Sequence, residues 1–298
     1  MKGLDYRWIE TLDAVIKSGS FERAAELLFI SQSAVSQRIK QLESWANGPV
    51  LIRESPLKVT AMGKKLLGLY RQVKLLEDEI FPQLPDKQQV FPLAIATNAD
   101  TVATWLIPAL KSFIAQHNVE LNLIVDDERR TVNKLKNGEV VGAISSVARP
   151  LPSCETLFLG QMKYVCVATP SFIERYFSHG KLSELIHSAP EIAFEPYDVM
   201  NENFVASQFG ESRGVNIKHS VRSSEACVSM TLASLGYCVL PELQIKEHIA
   251  SGALIDLAPG EFESNALYWH YWPTSKGVLA HLTSALKTHA KGNLYQQL

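Results

Sequence analysis

The chain has 298 residues, 46% of them hydrophobic and 20% charged, with a formal net charge of −2. That length supports two or three domains with cores of their own, and the balance excludes a disordered or fibrous chain. The N-terminus lacks the basic and then apolar run of a signal peptide, and no stretch approaches the roughly 18 uncharged apolar residues that span a bilayer, so a cytoplasmic protein without a membrane partner is expected.

The near-neutral total conceals an asymmetry. Residues 1–76 hold 12 Lys and Arg against 7 Asp and Glu, whereas residues 77–298 hold 17 against 24. A basic N-terminal quarter on an acidic body fits a polyanion-binding module joined to something else. The four cysteines, Cys154, Cys166, Cys227 and Cys238, are widely spaced and form no C-x-x-C. Reduced, mostly buried thiols are therefore expected, with no metal site and no cofactor.

Residues 5–17 carry Trp8, Ile9, Leu12, Val15 and Ile16 at helical spacing, and Ser18-Gly19-Ser20 stops that helix. FERAAELLF predicts a second helix with Ser20 as N-cap and with Ala24, Ala25 and Leu28 facing inward, the alanines small enough for two helices to cross closely. Ser31 then caps a third helix, SQSAVSQRIKQLE, in which Ala34, Val35, Ile39 and Leu42 form one apolar stripe. Its other side holds Gln32, Ser33, Ser36, Gln37 and Lys40, a short-armed hydrogen-bonding face where a face built for solubility would carry Glu and Lys. Two helices, a tight turn and a third helix of this kind predict a helix-turn-helix whose last member enters the major groove. Gln can pair with adenine, and Ser with a base or the backbone, so Gln32, Ser33, Ser36 and Gln37, with Arg38 and Lys40, are the candidate DNA contacts. Val50 to Arg53 and Leu57 to Thr60 read as two short strands around Ser55-Pro56, a wing that brings Arg53 and Lys58 to phosphate or minor groove. A solvated helix beside a surface hairpin would account for each piece alone but not for the ordered set.

The run SFERAAELLFISQSAVSQRIKQLE, followed by PVLIR and TAMGKKLL, resembles the DNA-binding domain of LysR-type transcriptional regulators. The resemblance extends over the whole chain, and NADTVATWLIPAL, RRTVNKLKNGEVVGAIS, SSEACVSM and ALYWHYW resemble a branch of that family that responds to arginine and lysine. It implies an α/β protein with an N-terminal winged helix-turn-helix, a long dimerisation helix and a two-lobed effector domain of the periplasmic-binding-protein type. It also implies promoter DNA as the partner, a homodimer or homotetramer, contact with RNA polymerase, and control of amino-acid export or metabolism genes. The chain departs from the wider family at Asp126, where glycine is common, and at Val141, where aspartate is usual.

Residues 63–81 carry Leu66, Leu69, Val73, Leu76 and Ile80 in alternating three- and four-residue steps, flanked by Lys64, Lys65, Arg71, Lys74, Glu77 and Glu79. This is the predicted dimerising helix, since helix-turn-helix proteins usually read two half-sites; Pro82 and Pro85 end it. From about residue 91, strand and helix alternate as PLAIAT, TVATWLIPALKSFIAQ, VELNLIV, ERRTVNKLKNG and VVGAIS, which predicts parallel strands, with Gly138 just past a helix end. A second such unit begins near KYVCVAT, runs to about 265, and gives way to ALYWHYWP and a final helix. The expected domains are residues 1–62, DNA-binding; 63–90, linker helix and hinge; and 91–298, effector-binding, with one lobe at about 91–162 and 266–298 and the other at about 163–265.

Small molecules bind such sheets at strand C-terminal ends, where helix N-termini present free N–H groups. Four places fit: Asn98, Asp100, Thr101 and Thr104; Asp126, Asp127 and Glu128; Glu195 and Asp198; and Ser223, Ser224 and Glu225. Capping alone would account for Asp100, Glu128 and Glu225 taken singly. Convergence of these carboxylates on one cleft favours a cationic ligand, and with the resemblance it points to L-arginine or L-lysine, one cationic end held by Asp127 or Glu128. The candidate effector residues are Asn98, Asp100, Thr101, Asp127, Glu128, Glu195, Asp198, Ser223 and Glu225. A second reading is an effector-independent binder of A·T-rich DNA with an architectural or replication-inhibiting role. An enzyme is the weakest reading, because the histidines are scattered and no nucleophile, metalloprotease or phosphate-loop motif is present. The aromatic run Tyr268, Trp269, Tyr271 and Trp272 reads as a buried strand before it reads as a ligand platform.

Overall fold

A computed structural model of the chain describes residues 3–80, 90–211, 217–273 and 277–297. Pro82, Pro85 and the expected hinge lie outside the described residues, as does the side chain of Glu79. The chain divides into two compact units, one of residues 1–97, 114–157 and 269–283 and one of residues 98–113, 158–268 and 284–298.

In the first unit, helix α1 (Tyr6–Ser18) starts where Asp5 accepts from the Arg7 N–H and ends at Gly19 with φ 67°. Helix α2 (Phe21–Leu27) starts at Ser20, whose hydroxyl accepts from the N–H groups of Glu22 and Arg23. It stops two residues short of the FERAAELLF expectation because Phe29 turns to φ 51°, its N–H bonding back to Glu26 O at 3.2 Å. Ser31 caps helix α3 (Gln32–Ala46) by accepting from Ala34 N–H, a contact of about 1 kcal/mol. Ile9, Leu12, Val15, Ala24, Val35, Ile39 and Leu42 are completely buried in one core, and each large aliphatic among them contributes about 1.5–3 kcal/mol. Strands β1 (Leu51–Ile52) and β2 (Lys58–Val59) pair antiparallel, Leu51 opposite Val59 and Ile52 opposite Lys58, and form the wing.

Helix α4 (Ala61–Ile80) divides the expected seam. Leu66 and Leu67 belong to the helix-turn-helix core and Leu75 is buried, whereas Met62, Leu69, Leu76 and Ile80 are exposed. The inward row is set by packing on α1, which sequence spacing does not display.

Strand β3 (Phe91–Thr97) is followed by α5 (Ala99–Thr101), a π-helical turn (Val102–Leu106) and α6 (Ile107–Gln116). Strands β4 (Val119–Val125) and β5 (Gly142–Ser145) both pair parallel with β3, and α7 (Thr131–Lys136) joins them. Gly138 follows α7 at φ 70°, the left-handed position expected past a helix end.

The long strand β6 (Glu155–Ala168) begins eight residues before KYVCVAT. After it come α8 (Pro170–Phe177), α9 (Leu182–Leu185), β7 (Glu191–Ala193), α10 (Met200–Phe209), β8 (Lys218–Ser220), α11 (Ser224–Leu232), β9 (Cys238–Pro241), α12 (Glu242–Ala250), β10 (Ile255–Asp256), β11 (Glu263–Tyr271) and α13 (Gly277–Asn293). In the second unit β7 and β8 run parallel, but β6 pairs antiparallel with both β9 and β10. The expectation of parallel strands thus holds only in part. Alternation of strand and helix along a sequence does not fix the direction in which a strand joins its sheet.

In the aromatic run, Trp269 and His270 are fully buried, while Tyr268, Tyr271 and Trp272 are partly buried. Trp269 donates Nε1–H to Thr283 Oγ1 at 2.9 Å, and its ring lies against the bare Cα of Gly142. Among the described residues no helix is long and apolar enough to cross a membrane, and no three His, Cys, Asp or Glu side chains gather as metal ligands. A Cβ on Gly142 would fall 2.0 Å from Trp269 Cη2, so Gly142→Ala should destabilise the protein by about 3 kcal/mol, read as an earlier midpoint in urea; an unchanged midpoint would refute this packing.

Candidate nucleic-acid interface and effector site

Burial of Val35, Ile39 and Leu42 turns the opposite side of α3 outward. Gln32, Ser33, Gln37 and Lys40 are exposed there, with Gln41 beside them, and Ser36 is partly buried. The Ser33 hydroxyl lies 2.9 Å from that of Ser31, so the cap at the helix start also orients the first hydroxyl of the face. Arg38 behaves differently. Its guanidinium turns back toward α1, with Nη1 3.5 Å from Thr11 Oγ1, and it is partly buried. In this position it braces the recognition helix. On the wing, Arg53 lies over the Phe21 ring at 5.4 Å, and exposed Lys58 pairs with Glu54 at 3.0 Å. The Arg53 stack holds a cation at the wing without neutralising it, since a ring offers only its quadrupole.

The expected effector residues fall in both units. Asp127 and Glu128 belong to the first, on the turn after β4. The exposed Asp127 carboxylate accepts from Arg129 N–H at 2.8 Å, and Glu128 O accepts from the Ser145 hydroxyl at 2.5 Å, so this acidic turn is tied to β5.

Asn98, Asp100, Thr101, Glu195, Asp198, Ser223 and Glu225 belong to the second unit, where each has its own surroundings. Asn98 Oδ1 accepts from Thr101 N–H at 3.1 Å and starts α5. Asp198 accepts from Phe194 N–H at 3.3 Å and Met200 N–H at 3.0 Å, which fixes the loop before α10. Glu195 is paired with the Arg222 guanidinium. Ser223 caps α11 by accepting from Ala226 N–H at 3.1 Å and donates to Glu225 at 2.9 Å.

Asp100 is the carboxylate set apart. Tyr164 OH donates to Oδ2 at 2.9 Å and Ser224 Oγ lies 2.7 Å from Oδ1; Ser224 also lies 2.8 Å from Gln244 Oε1. A hydroxyl has one hydrogen, so Ser224 serves Asp100 when Gln244 turns its amide nitrogen toward it. Burial pushes the Asp100 carboxyl above the ordinary carboxylate range, the charges of Asp198 and Glu225 push the same way, and the hydrogen bonds from Ser224 and Tyr164 resist. No Lys, Arg or His pairs with Asp100 among the described residues. Next to Asp100 in the chain the Thr101 hydroxyl, and a turn further on the Trp105 indole N–H, are buried without a hydrogen-bond partner among the described residues. They sit where the helix passes into its π-helical turn, a distortion often found at functional positions.

Sequence reasoning did not include Tyr164, Gln244 or Trp105 among the effector residues. Tyr164 is 64 positions from Asp100, and nothing local marks it. Ser224 stood in the sequence beside the chosen Ser223, and the phase of α11 decides that the second serine faces Asp100 while the first caps the helix.

Comparison with known proteins supplies the family. Residues 6–64 match the bacterial regulatory helix-turn-helix protein family of the LysR type, and residues 89–290 match the LysR substrate binding domain. An HTH-type transcriptional regulator ArgP of Vibrio vulnificus is 50% identical over 298 residues, covering 99% of this chain and all of the relative. The same regulator of Vibrio cholerae is also 50% identical, with the same coverage. Among solved structures, ArgP from Mycobacterium tuberculosis matches with a TM-score of 0.83 at 30% identity, covering 99% of this chain and 100% of that one. Full-length LysG of Corynebacterium glutamicum, determined with arginine bound as its effector, matches with a TM-score of 0.75 at 32% identity over 98% of this chain and 100% of that one. The chain belongs to the LysR family of bacterial transcriptional regulators.

Proposed function

We propose that the chain reads promoter DNA through α3 and the wing as a homodimer or homotetramer, and that L-arginine or L-lysine sets the geometry of that complex. In this reading residues 1–62 bind DNA, 63–90 link and dimerise, and 91–298 hold the effector. The protein acts in the cytoplasm beside the chromosome, meets RNA polymerase at the promoters it controls, and serves genes of amino-acid export or metabolism. Exposed Leu69, Leu76 and Ile80 on α4 supply the apolar row that a second copy of the helix would cover.

The observation that carries the effector half is Asp100. A little-hydrated carboxylate held by two hydroxyls, with Asp198 and Glu225 adding negative potential, favours a ligand cation. The unpaired donors of Thr101 and Trp105 favour an acceptor nearby, and leaving such donors unmet costs about 1–3 kcal/mol each. An α-amino acid presents both signs of charge two bonds apart. The arginine seen in LysG, a relative of 32% identity, supports a basic one. For a switch to result, the ligand must bind two arrangements of the protein with different affinity. The effector-independent reading, with A·T-rich DNA as target, leaves this charge arrangement unused.

Two variants test the halves separately on a DNA duplex that the protein itself selects from a random library. Gln37→Ala should lose about 2 kcal/mol, roughly 30-fold in affinity, with relaxed base preference at one position per half-site; a folded variant with unchanged affinity and preference would remove Gln37 from the recognition set. Asp100→Asn should weaken L-arginine binding at least about tenfold, through a lost charge-assisted bond, while leaving ligand-free DNA affinity intact. Equal L-arginine binding by the variant would exclude Asp100 as the cation's partner.

A further inference from the structure

Helix α4 and the turn after α7 meet backbone against backbone in the first unit. A Cβ on Gly68 would lie 2.7 Å from Gly138 Cα, and one on Gly138 would lie 2.4 Å from Gly68 Cα. Only a pair of glycines permits that approach. Charged groups surround the contact. Arg71 donates Nη1–H to Gly138 O, Lys64 Nζ lies 3.2 Å from Glu139 Oε1, and Lys134 Nζ lies 3.5 Å from Glu139 Oε2. Lys134 is also 3.8 Å from Asp126 Oδ2, at the start of the acidic turn after β4.

Glu139 thus takes one cation from the linker helix and one from α7, and Lys134 stands between two carboxylates. Burial raises the Glu139 carboxyl, but the hydrogen bonds from Lys64 and Asn137 together with the charges of Lys134 and Lys64 outweigh it and hold the group below its usual range. Arg71 is buried enough for its guanidinium to be lowered, and it feels the charges of Asp13 on α1 and of Glu139. One small area therefore joins α1, α4 and the α7 turn.

We propose that the Gly68–Gly138 seat and its ion pairs form a latch through which the acidic turn Asp126–Glu128 controls how the linker helix is seated, and with it the pitch of the DNA-binding helices. Lys134 cannot serve Asp126 and Glu139 fully at once. A cation arriving at the acidic turn displaces Lys134 toward Glu139, where it competes with Lys64 and loosens α4. The ligand step takes the contact expected from the sequence, one cationic end of the ligand at Asp127 or Glu128, and rests on the effector reading above for the ligand's identity; the latch itself does not.

Zero-length carbodiimide coupling of the full chain, without ligand, tests the latch on native residues. It converts a touching Lys–Glu pair into an amide that mass spectrometry can count, with the Lys134–Glu139 product as internal reference. The wild type should give a Lys64–Glu139 product. Gly68→Ala should reduce it at least about tenfold although alanine favours the helix, so the loss reports the contact. Asp126→Asn, on a partly exposed turn and suited to the case where Gly68→Ala disturbs folding, should shift coupling about threefold from Lys64 to Lys134. No Lys64–Glu139 product in the wild type, equal yield in Gly68→Ala, or an unmoved ratio in Asp126→Asn overturns the latch. A second arm measures the change that L-arginine causes in affinity for the selected duplex: loss of that change in Gly68→Ala supports coupling, and its survival overturns it. If the wild type shows no change with L-arginine while the coupling results hold, the latch stands and the effector reading falls.

Discussion

The complete burial of one side of α3 is the constraint on which the DNA-reading half depends. Val35, Ile39 and Leu42 leave no freedom in the rotation of that helix about its axis, because any other phase would place one of them in water at a cost of about 2 kcal/mol each. Gln32, Ser33, Gln37 and Lys40 face outward as a result. Ala24 and Ala25 allow α2 to approach closely enough to complete the core, and Ser31 fixes where the helix starts. Arg38 adds a polar brace from the same helix to Thr11 of α1. The outward side chains of α3 are thus positioned by the buried ones.

A second economy governs the carboxylates of the second unit. Asp198 is occupied by backbone N–H groups, Glu195 by Arg222 and Glu225 by Ser223. Structural duties absorb them, leaving their charge as a background field. Among the described residues Asp100 is held only by hydroxyls, which orient it without neutralising it, and that field works against its ionisation. A cation is the partner that relieves both burial and repulsion. In the proposed reading, local structure and ligand preference therefore come from one set of charges with different neighbours.

Much of this was legible in the sequence where the governing interaction is local. The caps Ser20 and Ser31, the stop at Gly19, the turn glycine Gly138 and the extent of β4 follow from chemistry within a few residues. Phe29 was less legible, because a left-handed phenylalanine carries no marker comparable to glycine. The heptad steps of α4 showed a seam but not that Leu66 leaves it for the helix-turn-helix core. Long-range pairing is the common cause of what remained hidden. Tyr164 and Gln244 reach the Asp100 cluster from β6 and α12, the direction of β6 is set by β9 and β10, and Arg38 meets a Thr11 that lies 27 positions away in the chain.

Calorimetry of the full chain against L-arginine and L-lysine, with L-glutamate as control, free and on the selected duplex, tests the central claim most directly. The account predicts saturable binding of the basic amino acids, little or none of glutamate, and an affinity that DNA changes, since coupling between two sites is reciprocal. Absence of binding in both states, or glutamate binding as well as arginine, would contradict it.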